Sequence, residues 1–298
     1  MEKVFETLLS EFSGMPYAAP FSFRKNTTVG IGGEAPLALY PENAGRMAAV
    51  LSLLHRQGIP YVVLGRGSNV LASDRGFNGV VINTSRANAV STRGCVLTAE
   101  CGAGLEKVLS VAKRNGLGGL SYLCGIPATV GGAVFMNAGV RGGYIGERVI
   151  SGEALIGGGR HTLSAKECEF SYKHTRFMEE ETVILSARLR LEKSSPTAID
   201  SEYAAAKTAR ENLPRGKSMG CVFKNPEGFS AGELLERAGM KGEFCGAAAV
   251  SREHANFIIN MGGASSDDVL RLIEKMKKAV FAETGIELSE EIRHIGEF

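Results

Sequence analysis

This chain of 298 residues lacks several features that mark common protein classes. Its net charge is only +2, from 34 basic and 32 acidic residues that are interspersed, so it offers no broad positive surface for a phosphate backbone. No apolar run approaches the roughly 18 residues of a transmembrane helix, and the start of the chain does not resemble a signal peptide. We therefore expect no nucleic-acid partner, no membrane insertion and a cytoplasmic location.

Patterns of metal-binding residues are also missing. The six cysteines include no Cys-x-x-Cys pair, and the five histidines do not have the spacing of metal ligands. In a reducing compartment most of the cysteines are expected to be small, buried apolar groups. We therefore predict that the protein has no metal site.

Two glycine-rich segments are the most informative features that are present. Residues 125–139 combine a proline turn, a glycine pair and Asn137 in a nearly uncharged run, which lets backbone come close to a flat, bulky ligand. Residues 65–69 follow the apolar run 61–64 and predict a strand leading into a loop whose N–H groups bind an anion such as phosphate. A tight bend in a buried sheet is the alternative explanation for the first segment.

Neither segment matches the common nucleotide-binding motifs. Residues 65–69 do not end in the Lys-Ser/Thr of a P-loop, and Lys107 stands where a dinucleotide fingerprint beginning at Gly102 needs its third glycine. The sequence therefore supports neither a P-loop nor a Rossmann site.

The hydrophobic pattern changes along the chain and indicates an α+β protein with two or three domains or lobes. The polar, proline-containing joint at 192–196 predicts a domain boundary. The predicted elements before it are a helix over 44–57 ending at Gly58, strands at 61–64, 80–83 and 96–100, and a half-buried strand over 183–191. Those after it are a helix over 200–212, a strand over 254–260, and a longer helix that has its apolar face at 269–280 and ends near Gly285.

Several further motifs complete a pattern that runs through nearly the whole chain. They are Asn26-Thr27-Thr28, Gly32-Gly33-Glu34-Ala35, the run 220–226, His254-Ala255-Asn256-Phe257 and Glu291-Ile292-Arg293. With the two glycine-rich segments, their order and spacing resemble the UDP-N-acetylenolpyruvoylglucosamine reductase family, whose members complete UDP-N-acetylmuramate in bacterial cell-wall synthesis. Any one of these motifs alone would be a weak signal.

The resemblance implies a fold and a reaction. The fold is α+β, with a two-lobed FAD-binding domain of the vanillyl-alcohol-oxidase type at 1–195, a lobe boundary near 86, and a smaller α/β substrate domain at 196–298. The implied cofactors are FAD and NADPH, and the implied substrate is UDP-N-acetylglucosamine enolpyruvate. NADPH reduces FAD, and hydride then passes to the terminal methylene carbon of the enolpyruvyl ether. The oligomeric state is not implied.

The resemblance also implies three catalytic residues, two of which depart from the usual residue type. Cys221 stands where most family members have a serine acid, and a thiol, with a reference pKa of about 8.5, is the stronger acid. Lys173 stands where the family usually has arginine, and an ammonium is a point charge rather than a bidentate fork. Glu291 is expected to position the substrate carboxylate and the developing enolate. The alternatives are a packing cysteine, a solvated lysine replaced in its role by Arg176, and an exposed glutamate.

The remaining implied site residues bind the cofactor or the substrate. Those for FAD are Gly65, Arg66, Gly67, Ser68, Asn69, Gly125, Ile126, Pro127, Thr129, Gly131, Gly132, Asn137 and Gly139. Those for the substrate are Tyr172, Lys224 and Asn225, with Lys224 and Asn225 directed to the uridine diphosphate part.

Two other functions stay open from the sequence. One is a different FAD oxidoreductase of the same fold that acts on an alcohol or a hydroxy acid. The other is a flavin-binding regulatory protein whose active site has decayed, which the residue types at Cys221 and Lys173 make worth testing.

Overall fold

The computed structural model describes residues 2–140, 142–179 and 182–298. The helices, in chain order, are α1 Glu2–Glu11, α2 Phe23–Asn26, α3 Ala44–Arg56, α4 Leu105–Arg114, α5 Val130–Phe135, α6 Pro196–Thr208, α7 Ala231–Arg237 and α8 Ser266–Thr284. The strands are β1 Tyr17–Ala18, β2 Phe21–Ser22, β3 Glu34–Ala35, β4 Leu37–Leu39, β5 Tyr61–Leu64, β6 Val70–Ala72, β7 Val80–Asn83, β8 Val90–Arg93, β9 Val96–Glu100, β10 Leu117–Gly118, β11 Gly139–Val140, β12 Gly143–Tyr144, β13 Val149–Ile156, β14 Gly159–Ser164, β15 Thr182–Arg190, β16 Glu192–Lys193, β17 Ser218–Cys221, β18 Phe244–Cys245, β19 Ala248–Val250, β20 Phe257–Asn260 and β21 Arg293–Ile295. The predicted α+β class is therefore confirmed.

The chain forms two compact units, each built from separated segments. Unit 1 comprises Met1–Ala18, Leu37–Gly65 and Gly79–Glu211. Unit 2 comprises Ala19–Pro36, Arg66–Asn78 and Asn212–Phe298.

The first sheet of unit 1 has the order β1-β4-β7-β5. Strands β4, β7 and β5 are parallel, and β1 runs antiparallel to β4. Helix α3 buries an apolar face in the same hydrophobic cluster as these strands. Asn43 caps its first turn by accepting the N–H of Arg46, and Gly58 follows its end with φ +61°. The helix and the strand that follows it lie where the sequence predicts them.

The second sheet of unit 1 is antiparallel, with the order β14-β13-β15-β9-β8. Strand β15 was predicted to be buried on one face only, and this is wrong for its first half. Val183 and Leu185 pack in the cluster that contains α3, whereas Ile184, which is 5% exposed, packs in a second cluster with Leu189. Two apolar layers enclose this half of the strand, so a simple alternation does not describe it.

Unit 2 is built on the antiparallel sheet β17-β20-β19-β18. Helices α7 and α8 bury apolar residues in one cluster with this sheet. Helix α8 begins after a capping box formed by Ser265 and Asp268 and ends at Thr284, where Gly285, with φ +71°, forms the C-cap. The strand predicted over 254–260 covers only Phe257–Asn260, because His254 and Asn256 form a turn in which the N–H of Asn256 donates to His254 Nδ1.

The division into units differs from the linear division expected from the sequence. Helix α6 belongs to unit 1, where the hydroxyl of Tyr203 donates to the Leu109 carbonyl of α4. In unit 2, Val29, Ile31 and Leu71 pack in the cluster of the C-terminal sheet. Burial of these apolar side chains assigns two early segments to the C-terminal unit, and no local sequence pattern reveals such a long-range contact.

Candidate functional site

In unit 1 the two glycine-rich segments touch at Gly65 and Thr129. A Cβ added to Gly65 would lie 2.6 Å from Thr129 Oγ1, so only glycine fits there. Thr129 is 5% exposed and caps α5 by accepting the N–H of Gly132 at 3.4 Å. The structure thus joins two segments that lie about sixty residues apart in the sequence.

The glycines of the second segment divide into two kinds. Gly131 and Gly139 are required by packing, since a Cβ would lie 2.9 Å from Cys101 Cβ and 2.3 Å from the Gly143 carbonyl oxygen respectively. Gly132 is exposed, and a Cβ there would meet only Thr129 Oγ1, at 3.6 Å. Gly132 therefore presents open backbone on the first turn of α5.

Other residues of the segment predicted to bind the cofactor are exposed as well. Gly125 and Pro127 are exposed like Gly132, and Gly125 has φ +79°. The N–H groups of Val130 and Gly131 are already bonded to the carbonyls of Ala103 and Cys101, both at 2.8 Å. Gly132 therefore presents side-chain-free backbone rather than a set of helix N–H donors, and such a surface suits van der Waals contact with a flat ring system.

Asn137 fastens this segment to the turn that carries Lys173. Its amide donates to the Ser171 carbonyl at 2.8 Å and accepts the N–H of Gly146 at 3.0 Å. The side chain is 5% exposed and the backbone has φ +41°. Its amide is thus engaged inside the protein, and its contact with a cofactor stays a prediction.

The turn that carries Lys173 is tightly bent and held at both ends. Lys173 has φ +52°, inside a turn in which Ser171 and His174 exchange backbone hydrogen bonds of 3.1 and 3.3 Å. The hydroxyl of Thr175 donates to the Phe135 carbonyl, the last residue of α5, at 2.8 Å. Tyr172 is 42% exposed. Lys173 and Tyr172 are therefore placed next to the end of α5.

Arg176, the alternative cation, has a different neighbour. The pKa of Glu167 is lowered mainly by hydrogen bonds from Ser164 and further by the charge of Arg176. The charge of Arg176 therefore acts on Glu167, and the assignment of the catalytic cation to Lys173 stays a prediction.

In unit 2, Cys221 ends strand β17 beside a bulge. The register of β17 against β20 shifts between Ser218 and Cys221, and Gly220 within the shift has φ +78°. All six cysteines are thiols, and that of Cys221 is half-buried. A Cβ added to Gly220 would lie 3.9 Å from the Ser68 carbonyl oxygen, so the segment predicted to bind phosphate approaches this bulge.

Glu291 lies beside the same strand. Its N–H donates to the carbonyl of Val222, the neighbour of Cys221, at 2.7 Å. Asn69 also contacts this segment. The side-chain amide of Asn69 donates to the Glu291 carbonyl at 3.1 Å, and the backbone carbonyl of Asn69 accepts the N–H of Arg293 at 3.0 Å. The structure thus brings Ser68, Asn69, Cys221 and Glu291 together within unit 2.

Gly67 and Arg66 complete the first segment. Gly67 has φ +63°, and a Cβ would lie 2.5 Å from the Asn26 carbonyl oxygen, so this turn packs against the Asn26-Thr27-Thr28 motif. The Gly67 carbonyl accepts the N–H of Thr28 at 3.0 Å. Arg66 is exposed.

The two residues predicted to bind the uridine diphosphate part of the substrate follow strand β17. The N–H of Lys224 donates to the Ser289 carbonyl at 2.9 Å, so its backbone runs beside the segment that leads to Glu291. Asn225 is exposed, and its Oδ1 accepts the N–H of Ala231, the first residue of α7, at 2.9 Å.

Comparisons with known proteins agree with this arrangement. The profile described as "UDP-N-acetylenolpyruvoylglucosamine reductase, C-terminal domain" matches residues 211–295, and "FAD binding domain" matches residues 35–163. A UDP-N-acetylenolpyruvoylglucosamine reductase of Caldicellulosiruptor bescii is 39% identical over 96% of this chain and 93% of its own length. The crystal structure of that reductase from Thermus caldophilus superposes with a TM-score of 0.81 at 33% identity, covering 94% of this chain and 98% of that one.

The chain belongs to the UDP-N-acetylenolpyruvoylglucosamine reductase family. An alkyldihydroxyacetonephosphate synthase shares the fold more distantly, with a TM-score of 0.50 at 16% identity over 65% of this chain and 40% of that one. Family membership confirms the predicted fold class and FAD as the cofactor.

Among the residues that the structure describes, no group of histidine, cysteine and acidic side chains could hold a metal ion, and no helix has both the length and the apolar composition of a bilayer span.

One residue that organises this part of the chain was named from the sequence only as a member of a motif, without a role of its own. Asn256, only 2% exposed, accepts the N–H of Phe223 at 2.9 Å and donates to the Phe223 carbonyl at 2.8 Å, which fixes the segment between Cys221 and Lys224. The available signal was an asparagine inside the apolar run 255–259, since a buried amide needs partners.

Proposed function

We propose that this chain reduces the enolpyruvyl ether of UDP-N-acetylglucosamine enolpyruvate to UDP-N-acetylmuramate with NADPH, in peptidoglycan precursor synthesis. Membership of the reductase family over nearly the whole chain carries the proposal. The backbone hydrogen bond that sets Glu291 beside the strand of Cys221 supports it.

The FAD would be held by residues that include the exposed Gly125, Pro127 and Gly132 and by the segment 65–69. When bound, FAD supplies the two-electron chemistry, in which a hydride is taken from NADPH and one is delivered to the terminal methylene carbon of the substrate.

The chain supplies the proton and the charge stabilisation. As the methylene carbon gains a hydride, the double bond becomes single and negative charge develops on the carbon next to the carboxylate. Cys221 donates its thiol proton to that carbon and is then reprotonated from solvent. Lys173 offsets the developing charge, and Glu291 orients the carboxylate end of the substrate.

The sugar nucleotide would be held by residues beside these groups. Lys224 offers a cation to the diphosphate, and Asn225 offers the donors of its amide, whose oxygen already caps α7. Tyr172, on the turn of Lys173, offers an exposed phenol to the substrate. The cytoplasmic location also belongs to this proposal and is checked by cell fractionation with an antibody.

An anaerobic titration tests the function. The purified holoprotein is reduced with NADPH while the flavin absorbance is followed, and UDP-N-acetylglucosamine enolpyruvate is then added. Stoichiometric recovery of the oxidised spectrum, with UDP-N-acetylmuramate identified by mass, is expected. A flavoprotein that no nicotinamide cofactor bleaches would instead be a binding protein with a decayed site. Bleaching without reoxidation by this substrate would point to a different oxidoreductase.

A further inference from the structure

The carboxylate of Glu290, which immediately precedes Glu291, is held from two sides. Lys277 of α8 donates to its Oε1 at 2.6 Å, and Nε2 of His294 lies 2.7 Å from its Oε2. The side chain is only 22% exposed. These contacts lower the pKa of Glu290 to about 2, with the His294 hydrogen bond the largest cause, so the carboxylate is charged at neutral pH.

The backbone around Glu290 is fastened as well. The Ser289 carbonyl accepts the N–H of Lys224, and Phe223 pairs with Glu290 in an isolated antiparallel bridge. The Glu291 N–H is bonded to Val222 and its carbonyl to Asn69. Because both carboxylate oxygens of Glu290 are bonded and its backbone is paired with Phe223, an anchor on this side chain restrains the backbone from which the next side chain, that of Glu291, leaves.

We propose that Glu290, clamped between Lys277 and His294, is a positioning residue that directs the Glu291 carboxylate for the reaction. This inference rests on the proposed role of Glu291. The clamp ties the segment 289–291 to helix α8 and to strand β21, and without it the Glu291 side chain samples directions that do not meet the substrate.

The test compares Glu290→Gln, Glu291→Gln and the double variant as holoproteins. Glu290→Gln is expected to slow flavin reoxidation by the enolpyruvyl substrate roughly 10- to 100-fold, since small misplacements of a catalytic group cost that much, while reduction by NADPH is unchanged. Binding of UDP-N-acetylmuramate to the oxidised protein, measured by calorimetry, should weaken in parallel. If Glu290 acts through Glu291, the double variant is no slower than Glu291→Gln alone.

Glu274→Gln is the matched control. Glu274 also contacts Lys277, at 3.2 Å, but it lies one helical turn away and has no bond to the segment 289–291, so its variant should reoxidise and bind product like the parent protein. Circular dichroism and flavin content confirm that each variant is folded and loaded.

The outcomes separate this inference from the proposed function. If Glu291→Gln reoxidises as fast as the parent, the role of Glu291 is wrong and the positioning role falls with it. If Glu291→Gln is slow but Glu290→Gln is normal, or if the two losses add in the double variant, only the positioning role is overturned.

Discussion

At the scale of single residues, the first prediction concerns Cys221, whose thiol stands where the resemblance implies a serine hydroxyl. Reduction of FAD by NADPH needs no proton from Cys221, whereas product formation needs one at the carbon next to the carboxylate. In Cys221→Ala, NADPH should therefore reduce the flavin at the normal rate, and the substrate should reoxidise it slowly. Stopped-flow absorbance measures both rates. Cys221→Ser should keep substantial activity. Cys245→Ala, at another half-buried thiol of unit 2, is the control and should be unaffected.

The same thiol predicts a chemical vulnerability. If Cys221 lies in the substrate pocket, its half-buried thiol should be alkylated by iodoacetamide, and bound substrate should protect it. Peptide mass mapping identifies the modified residue. If Cys221→Ala reoxidises at the parent rate, the proton comes from another group.

Lys173 carries the second residue-scale prediction. If its ammonium meets the developing enolate, Lys173→Met should slow reoxidation by an amount equivalent to about 2–4 kcal/mol, the loss typical of one oxyanion donor. Lys173→Arg should keep or improve turnover, because a guanidinium can bind a carboxylate through two hydrogen bonds. Arg176→Met is the matched control, and a large loss there with none in Lys173→Met would transfer the role to Arg176.

At the scale of the element, helix α5 offers a matched pair of glycines. Gly131→Ala should lower the melting temperature of the apoprotein, because its Cβ would lie 2.9 Å from Cys101 Cβ. Gly132→Ala meets no such obstacle and should keep or raise that temperature, since alanine favours helix over glycine by about 1 kcal/mol. If the cofactor lies on this backbone, Gly132→Ala nevertheless weakens FAD binding, measured by fluorescence titration. Unchanged FAD affinity in Gly132→Ala would remove this turn from the cofactor site.

The end of α5 and the turn that carries Lys173 are joined by side-chain hydrogen bonds. Asn137 and Thr175 each bond across the two segments, so the direction of Lys173 is set by residues that do not themselves need to touch the substrate. A glycine-rich segment predicted only as a binding loop thereby also supports a proposed catalytic side chain.

At the scale of the whole molecule, periodicity and motifs predicted the elements better than their grouping. Helix α3 and strand β5 follow from an apolar pattern that ends in a glycine, which is local information. The adjacency of Cys221 and Glu291 was predictable only through the family resemblance, because some seventy residues separate them. The placement of Val29 and Leu71 in the core of unit 2 was not predictable, because the local sequence around each residue does not indicate which sheet it packs against.

The clamp on Glu290 also predicts how the stability of the folded protein depends on pH. Its pKa falls from an ordinary 4.5 to about 2 on folding, so its contribution is complete above about pH 4.5 and is lost as pH falls toward 2. The pKa of Lys277 is raised, so its ammonium stays charged throughout that window. Glu290→Gln should therefore lower the unfolding free energy measured in urea at pH 6, and its difference from the parent should shrink progressively between about pH 4.5 and pH 3. For the exposed Glu274→Gln the difference should be small at every pH, as expected for surface pairs. A difference for Glu290→Gln that stays constant down to pH 3 would mean that Glu290 packs as a polar group and that its charge contributes nothing to folding.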